Sequence, residues 1–180
     1  GNHATVSTMV LAGLGIAIAS IIVIYAEMNK ELRESLRMSH HELVHLSLHD
    51  QLTMLPNRRQ YEEQVPLALK RGAERSNMVG ILIIDLNGFK QINDTLGHQF
   101  GDLVLKAVAE RLRSAVRDTD VVARWGGDEF VILLPGIEDG TGVRAAAERI
   151  GQSLAATPVV RDVSITAAIG AALFPRHGLE

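Results

Sequence analysis

The sequence predicts a mixed α/β domain whose elements follow the order β-α-α-β-β-α-β, preceded by an apolar helix and a charged helical segment. Three observations support this prediction. Ala4 to Ala26 contains no charged residue, a charged stretch without proline or glycine follows it, and from about Asp50 short apolar runs alternate with helical patterns. The 180 residues therefore predict one domain with an N-terminal extension.

Composition narrows the class of protein. Hydrophobic residues make up 47% of the chain, enough for a core, and aromatic residues only 4%, so aliphatic packing must dominate. The net charge of −3 provides no basic surface, which argues against nucleic acid as the main partner. Cysteine is absent, which excludes disulfides, thiolate metal sites and cysteine catalysis, and fits a reducing compartment.

Residues 1–26 predict a transmembrane helix. The run from Val6 to Tyr25 is almost wholly aliphatic and small, close to the ~20 residues that span a bilayer. No basic residue precedes the run, which disfavours a cleavable signal peptide. Lys30, Arg33 and Arg37 follow it, so we expect its C-terminal side to be cytoplasmic. A buried or processed helix is the alternative.

Residues 27–49 predict a helical stalk between the membrane and the domain. Leucines recur near helical spacing at Leu32, Leu36, Leu43 and Leu46. The heptad pattern is interrupted around Ser39 and His40, which favours a short helical stalk over a long coiled coil.

The folded domain is predicted over residues 50–180. Pro56 should end the stalk, and Asn57 can cap a following helix from about Arg58 to Arg75. Pro66 lies inside that helix and should kink or divide it.

The next elements are predicted from apolar runs and from the residues that bound them. A continuous apolar run that ends in Asp85 predicts a central strand, which delivers a carboxylate at its C-terminal end. This central strand covers Val79–Ile84. The remaining elements are helices at Gly88–Leu96, Phe100–Val116 and Gly140–Ala156, and a last strand at Val163–Phe174.

A hairpin is predicted from Val121 to Leu134. Apolar runs on both sides of Gly126-Gly127 indicate two strands joined by a tight turn, in which the glycines supply positive φ angles. Asp128 and Glu129 follow at the start of the second strand. Bare backbone beside acidic side chains suits a metal-bound polyphosphate.

The element order suggests a ferredoxin-like arrangement. In that topology the first strand runs parallel to the second, with the third between them, so Asp85 should lie next to Asp128 and Glu129. Clustered carboxylates repel one another unless a cation lies between them, and Mg²⁺ prefers oxygen ligands plus substrate phosphates. We therefore predict a magnesium–nucleoside triphosphate site with Gly126-Gly127 as its floor. Surface acids beside a hairpin are the alternative.

Four motifs in order also resemble a known family, the GGDEF-domain diguanylate cyclases, which have a nucleotidyl-cyclase-type domain. They are LTMLPNRR at Leu52–Arg59, DLNGFKQINDTLGHQFGD at Asp85–Asp102, RDTD at Arg117–Asp120 and RWGGDEF at Arg124–Phe130. The resemblance runs from about Asp50 to the C-terminus. It implies a bacterial homodimer in which two GTP-loaded domains face each other and form cyclic di-GMP and two pyrophosphates.

The resemblance also implies roles for individual residues. Metal, Mg²⁺ or Mn²⁺, would be held by Asp85, the Leu86 carbonyl, Asp128 and Glu129, and Glu129 would also help to deprotonate the attacking hydroxyl. Asn93 and Asp102 would bind the guanine edge. Phe89 and Lys90 would lie along the phosphates, where Lys90 offsets charge in the transition state. A core position for Phe89 and a solvent-facing position for Lys90 are the alternatives.

Arg117 and Asp120 match the family's inhibitory site for the product. Without the resemblance, a surface salt bridge would be the default interpretation. The arginine guanidinium can donate two parallel hydrogen bonds, a geometry that suits either phosphate or guanine.

The chain departs from the family pattern at three places. Met54 and Asn87 replace a glycine and an aspartate that are common there, and we expect a modest effect from each. The family continues with a helix of basic residues and a further strand, so we expect the C-terminal end of the domain to be missing.

Two other functions compete with the cyclase. One is a receptor module that binds GTP or cyclic di-GMP without turnover and regulates a downstream phosphodiesterase domain. The other is a structural role, in which the chain anchors and dimerises a downstream enzyme.

Overall fold

A computed structural model describes residues 25, 27–34 and 48–175. The chain divides into two compact units, residues 1–47 and 48–180. In the first unit, Tyr25 and residues 27–34 are helical. None of the helices in the described ranges is both long and apolar enough to cross a membrane. Apart from Tyr25, the predicted transmembrane helix at 1–26 lies outside the described residues. The same holds for positions 35–47 of the predicted stalk.

The second unit contains an entry helix and seven further elements in the predicted order β-α-α-β-β-α-β. They are α1 (Arg58–Arg75), β1 (Met78–Leu86), α2 (Phe89–Leu96), α3 (His98–Ala115), β2 (Val121–Gly126), β3 (Glu129–Ile137), α4 (Gly140–Ala155) and β4 (Ala167–Phe174). The predicted mixed α/β fold is confirmed.

The four strands form one antiparallel sheet in the order β2-β3-β1-β4. Because β3 lies between β1 and β2 and is antiparallel to both, β1 runs parallel to β2. This is the predicted ferredoxin-like relation. The register places Asp85 of β1 opposite Glu129 of β3, so the end of β1 lies beside the hairpin turn.

The two faces of the sheet are covered differently. One face carries the main core, in which Leu82, Ile84 and Phe130 are fully buried against α3 and α4. The other face packs against α1 through Tyr61 and its neighbours. Since α1 contacts β1, β2 and β3 but not β4 in any extended way, Ile83 near the end of β1 stays 56% exposed.

Three element boundaries differ from the predictions. Helix α1 is continuous through Pro66 rather than divided, because its buried residues pack on the sheet and offset the missing hydrogen bond. Only Gly97, with φ 86°, separates α2 from α3. The last strand begins at Ala167 instead of Val163, because Val163 forms a separate bridge with Val160.

The entry to the domain is a hydrogen-bonded turn. Met54 N–H donates to the Asp50 carbonyl at 2.8 Å, and Asp50 N–H donates to the Leu55 carbonyl at 2.8 Å. Asn57 caps α1 as predicted, accepting from the Gln60 N–H at 3.1 Å. The compact unit begins at Leu48, two residues before the predicted boundary, because the Leu48 carbonyl accepts from the Asn57 N–H.

Met54 occupies the left-handed region in this turn, with φ 58°. We expect Met54→Gly to raise the free energy of unfolding by up to about 1 kcal/mol, since left-handed backbone costs a side-chain-bearing residue ~1–2 kcal/mol and glycine's extra unfolded-state entropy returns part of this. Little packing is lost, because Met54 is exposed. Urea denaturation measures the difference. Met54→Ala is the control, and equal stability of the alanine and glycine variants would contradict the strain argument.

Candidate functional site

The turn between β2 and β3 consists of Gly127 and Asp128, since Gly126 and Glu129 already pair across the hairpin. Gly127 has φ 54°, whereas Gly126 is in the strand, so one glycine rather than two supplies the positive φ. Asp128 therefore lies in the turn itself and only Glu129 begins β3, a small correction to the prediction. A Cβ added at either glycine would meet no atom within 4 Å. The backbone of this turn is open to a ligand.

Asp85 and Glu129 are cross-strand partners, and both are exposed. Partners in a register share one face of the sheet, so the two carboxylates point to the same side. Asp128 is half-buried in the adjoining turn. The predicted convergence of the end of β1 with the hairpin is thus present.

Within the described ranges, no group of three histidine, aspartate or glutamate side chains is arranged to hold a metal ion by itself. Mg²⁺ typically uses one or two carboxylates and takes its other ligands from water and substrate phosphates. The paired Asp85 and Glu129 carboxylates fit that requirement. The metal-binding roles of Asp85, Leu86, Asp128 and Glu129 stay predictions.

Small residues lie on the other side of the acids. In β4, Ala168 pairs with Asp85 and Gly170 pairs with Ile83, and both are exposed. The sheet surface beside the carboxylates is therefore shallow and open. A bulky polyphosphate can approach the acids from this side without displacing a large side chain.

Arg124 connects the turn between β2 and β3 to Asp50 at the start of the domain through hydrogen bonds. Its Nε and Nη2 donate to the Gly127 carbonyl at 3.1 and 2.7 Å, and its Nη1 donates to both carboxylate oxygens of Asp50 at 3.0 and 3.2 Å. The side chains of Arg124 and Asp50 are only 13% and 24% exposed. The planar guanidinium serves both partners at once, which an ammonium group does less well. The Gly127 peptide is thereby fixed in position.

The charge of Asp50 is stabilised by its neighbours. Burial alone would raise its pKa, but hydrogen bonds from the Thr53 hydroxyl and N–H, and then from Arg124, outweigh that effect and hold the pKa below its usual range. Asp50 is therefore ionised throughout the neutral range. Sequence reasoning did not assign a role to Asp50 or Arg124, because a contact between such distant residues leaves no periodic signal.

A second feature that sequence reasoning missed is the environment of Trp125. The Arg58 guanidinium lies 4.5 Å from the centre of its ring, and Tyr61 contacts it edge-on at 5.8 Å between ring centres. The Tyr61 hydroxyl is buried and has no hydrogen-bond partner in the part of the chain that the structure describes, and burial raises its pKa to about 12. A cleft of about 510 Å³ adjoins Trp125, Arg59 and the glycine turn.

At the start of α2, the Phe89 side chain is buried in the main core, which agrees with the alternative interpretation of this residue. Its place along the phosphates stays a prediction. The Lys90 side chain is exposed, as a phosphate-binding role requires. Asn87 donates from Nδ2 to the Thr166 hydroxyl at 3.0 Å, a bond that the family's aspartate could not donate.

Asn93 and Asp102 come together at the junction of α2 and α3. Asn93 Oδ1 is buried and has no hydrogen-bond partner among the described residues, and a Cβ added at Gly101 would overlap it. Asp102, the next residue, is exposed. The two predicted guanine-binding residues therefore lie beside each other, although each comes from a different helix.

Arg117 and Asp120 form a turn. The Arg117 N–H donates to Asp120 Oδ2 at 2.9 Å, and the Asp120 N–H donates to the Arg117 carbonyl at 3.0 Å. The structure records no side-chain ion pair between them in the described region, which disfavours the surface salt bridge. A cavity of about 480 Å³ adjoins both residues, and Gln60, Gln64 and Arg113 also line it.

Residues 47–180 match the family described as diguanylate cyclase, GGDEF domain. With the hairpin, the paired acids and the four motifs, this match shows that the chain belongs to the GGDEF-domain family of diguanylate cyclases.

Relatives from Pseudomonas aeruginosa agree. The chain is 40% identical over 148 residues to MucR, which is named a bifunctional diguanylate cyclase/cyclic di-GMP phosphodiesterase. The matched region covers 82% of this chain and 22% of MucR. The chain is 42% identical over 138 residues to the diguanylate cyclase TpbB, covering 75% of this chain and 32% of TpbB. The chain thus spans less than half the length of either curated relative.

Solved structures have the same fold. The GGDEF domain of TpbB superposes with a TM-score of 0.68 at 41% identity, covering 71% of this chain and 76% of that chain. The coiled coil and GGDEF domain of DgcB from Caulobacter crescentus, solved in complex with c-di-GMP, superposes with a TM-score of 0.75 at 26% identity, covering 86% and 83%.

The contact between Arg124 and Asp50 predicts a pH dependence of stability. Because the folded pKa of Asp50 is lowered, its stabilising effect is fully present above its unfolded pKa of about 3.9 and is lost as pH falls through the folded pKa. Asp50→Asn should lower the free energy of unfolding by about 1–2 kcal/mol at about pH 7, and by less at about pH 3.

Urea denaturation at the two pH values tests this. Asp94→Asn on α2 is the control, because Asp94 is exposed and has no hydrogen-bond partner in the described region. A constant difference between wild type and Asp50→Asn across this pH range would contradict the prediction.

Proposed function

We propose that this chain is the catalytic part of a diguanylate cyclase, which condenses two GTP molecules into cyclic di-GMP and two pyrophosphates. One observation carries the proposal. Asp85 lies opposite Glu129 across β1 and β3, directly beside a bare glycine turn, in a domain of the GGDEF family. Two carboxylates beside open backbone suit a metal-bound triphosphate, because Mg²⁺ is usually held by one or two carboxylates plus substrate phosphates.

The proposed metal is Mg²⁺, held by Asp85, the Leu86 carbonyl, Asp128 and Glu129. When bound, it polarises the α-phosphate and lowers the pKa of the attacking 3′-hydroxyl. Glu129 accepts the proton of that hydroxyl as the first residue of β3. Arg124 keeps the Gly127 peptide in place, so that the backbone under the α-phosphate does not need to reorganise.

Other residues bind and orient GTP. Asn93 and Asp102 bind the guanine edge, and Gly126 and Gly127 leave room for the phosphates. Lys90 offsets the charge that develops on the phosphates in the transition state. The buried Phe89 side chain packs the first turn of α2 against the main core.

The reaction requires a homodimer, because each domain binds only one of the two GTP molecules. Each domain then acts on the 3′-hydroxyl of the nucleotide in its partner. A specific activity that stays constant on extreme dilution would contradict this requirement.

We also propose that residues 1–26 anchor the protein in the inner membrane of a bacterium, with the catalytic domain in the cytoplasm. The uncharged run from Ala4 to Ala26 and the basic Lys30 and Arg33 after it support this orientation. Release of the protein from membranes by an alkaline carbonate wash would contradict it.

Glu129→Gln should reduce the rate of cyclic di-GMP formation by about 10²-fold or more, because the amide cannot accept the proton of the hydroxyl. Purified protein is incubated with GTP and Mg²⁺, and the products are separated by chromatography. Glu138→Gln is the matched control, since Glu138 is exposed beyond the opposite end of β3. Equal rates for the two variants would exclude Glu129 from catalysis.

The product inhibits the enzyme through Arg117 and Asp120. The cavity beside them and the Arg117 guanidinium, which makes no side-chain ion pair with Asp120 in the described region, support this proposal. The arginine fork can bind phosphate or guanine.

Arg117→Ala should abolish inhibition by added cyclic di-GMP, because the paired hydrogen bonds of the guanidinium are lost. The initial rate should stay within about twofold of wild type, because Arg117 lies outside the catalytic turn. Initial rates at increasing cyclic di-GMP measure this. Lys106→Ala on α3 is the control. Unchanged inhibition in Arg117→Ala would contradict the assignment, and cyclic di-GMP binding without any turnover of GTP would favour the receptor module.

A further inference from the structure

Gly101, in the first turns of α3, is buried. A Cβ built on Gly101 would overlap Oδ1 of Asn93, and would also lie 3.0 Å from Asn93 Cγ and 3.2 Å from Phe89 Cζ. The overlap with Oδ1 does not occur for real Cβ atoms unless the neighbour shifts, and the two longer contacts are also tighter than most real Cβ contacts. The amide of Asn93 therefore occupies the space that a side chain at position 101 would need.

The orientation of this amide follows from the same contact. Asn93 Oδ1 is buried between α2 and α3 and accepts no hydrogen bond in the described region. An asparagine amide has one acceptor end and one donor end. With the acceptor end enclosed against Gly101, the Nδ2 donor is the end that remains for a ligand.

That orientation complements the neighbouring acid. Asp102, the exposed residue after Gly101, accepts hydrogen bonds when ionised. Guanine presents both acceptors, O6 and N7, and an N2 donor. A donor from Asn93 and an acceptor from Asp102 therefore match guanine, whereas two acceptors side by side would leave its O6 and N7 without partners.

We propose that Gly101 is a positioning residue for base recognition: its lack of a side chain admits the Asn93 amide with Oδ1 inward and Nδ2 directed to the guanine. The inference rests on the proposed function, because it assumes that GTP is the ligand. A purely structural role for Gly101 predicts that Gly101→Ala has the same effect with and without Asn93, since helix packing alone requires no particular orientation of Asn93.

The experiment is a double-mutant cycle with GTP as the probe. Gly101→Ala, Asn93→Ala and the double variant are compared for KM and kcat. Gly101→Ala should raise KM for GTP about tenfold, the effect of losing one hydrogen bond of ~1.4 kcal/mol, with kcat changed much less. In the Asn93→Ala background, Gly101→Ala should add no more than about a twofold change, because no amide remains to be displaced.

Gly151→Ala on α4 is the matched control. It is the same substitution in a helix, but its Cβ would lie 3.8 Å from Ile169 Cδ1, an ordinary contact. Its KM for GTP should equal that of wild type. Equal effects of Gly101→Ala with and without Asn93 would show a structural role and overturn the inference.

Asn93→Asp tests the orientation without changing Gly101, in case Gly101→Ala does not fold. It replaces the donor with an oxygen of the same size, so it should weaken GTP binding at least as much as Asn93→Ala does. Wild-type affinity in Asn93→Asp would overturn the inference. A wild-type protein that binds no GTP would overturn the proposed function as well, whereas wild-type turnover with a normal KM in Gly101→Ala would overturn only the inference.

Discussion

The antiparallel pairing of β1 with β3 is the constraint on which the site depends. Residues of β1 alternate between the main core and the opposite face, and Ile84 and Phe130 are buried as cross-strand partners. A shift of one residue would turn every apolar side chain to the wrong face. The packing of the core therefore also determines that Asp85 lies opposite Glu129, and the acids need no contacts of their own to find each other.

The turn above these acids is held by a different kind of interaction. Paired strands fix where a hairpin turn lies but not how firmly its peptide groups are oriented. Here the guanidinium of Arg124 bonds the Gly127 carbonyl and the Asp50 carboxylate together. A partly buried ion pair loses more to desolvation than an exposed one, so its value lies in geometry at least as much as in stability.

The sequence was sufficient to predict the element order and the approach of Asp85 to the hairpin, because apolar runs and topology determine both. It also predicted the cap at Asn57, because asparagine at a helix start has a strong capping preference. It was insufficient where one side chain's surroundings decide the outcome. The burial of Phe89 and the positive φ of Met54 depend on packing and on a turn that no periodicity encodes. Continuous α1 shows the same limit, since tertiary contacts there outweigh the local effect of Pro66.

The position of β1 inside the sheet also has a consequence for how the chain acquires its structure. One edge of β1 pairs with β3, but the other pairs with β4, where Val79 lies opposite Phe174. Contacts so distant in sequence carry a large loop-closure entropy and slow the folding of a domain. During synthesis, one edge of the strand that bears Asp85 therefore stays unpaired until β4 has left the ribosome.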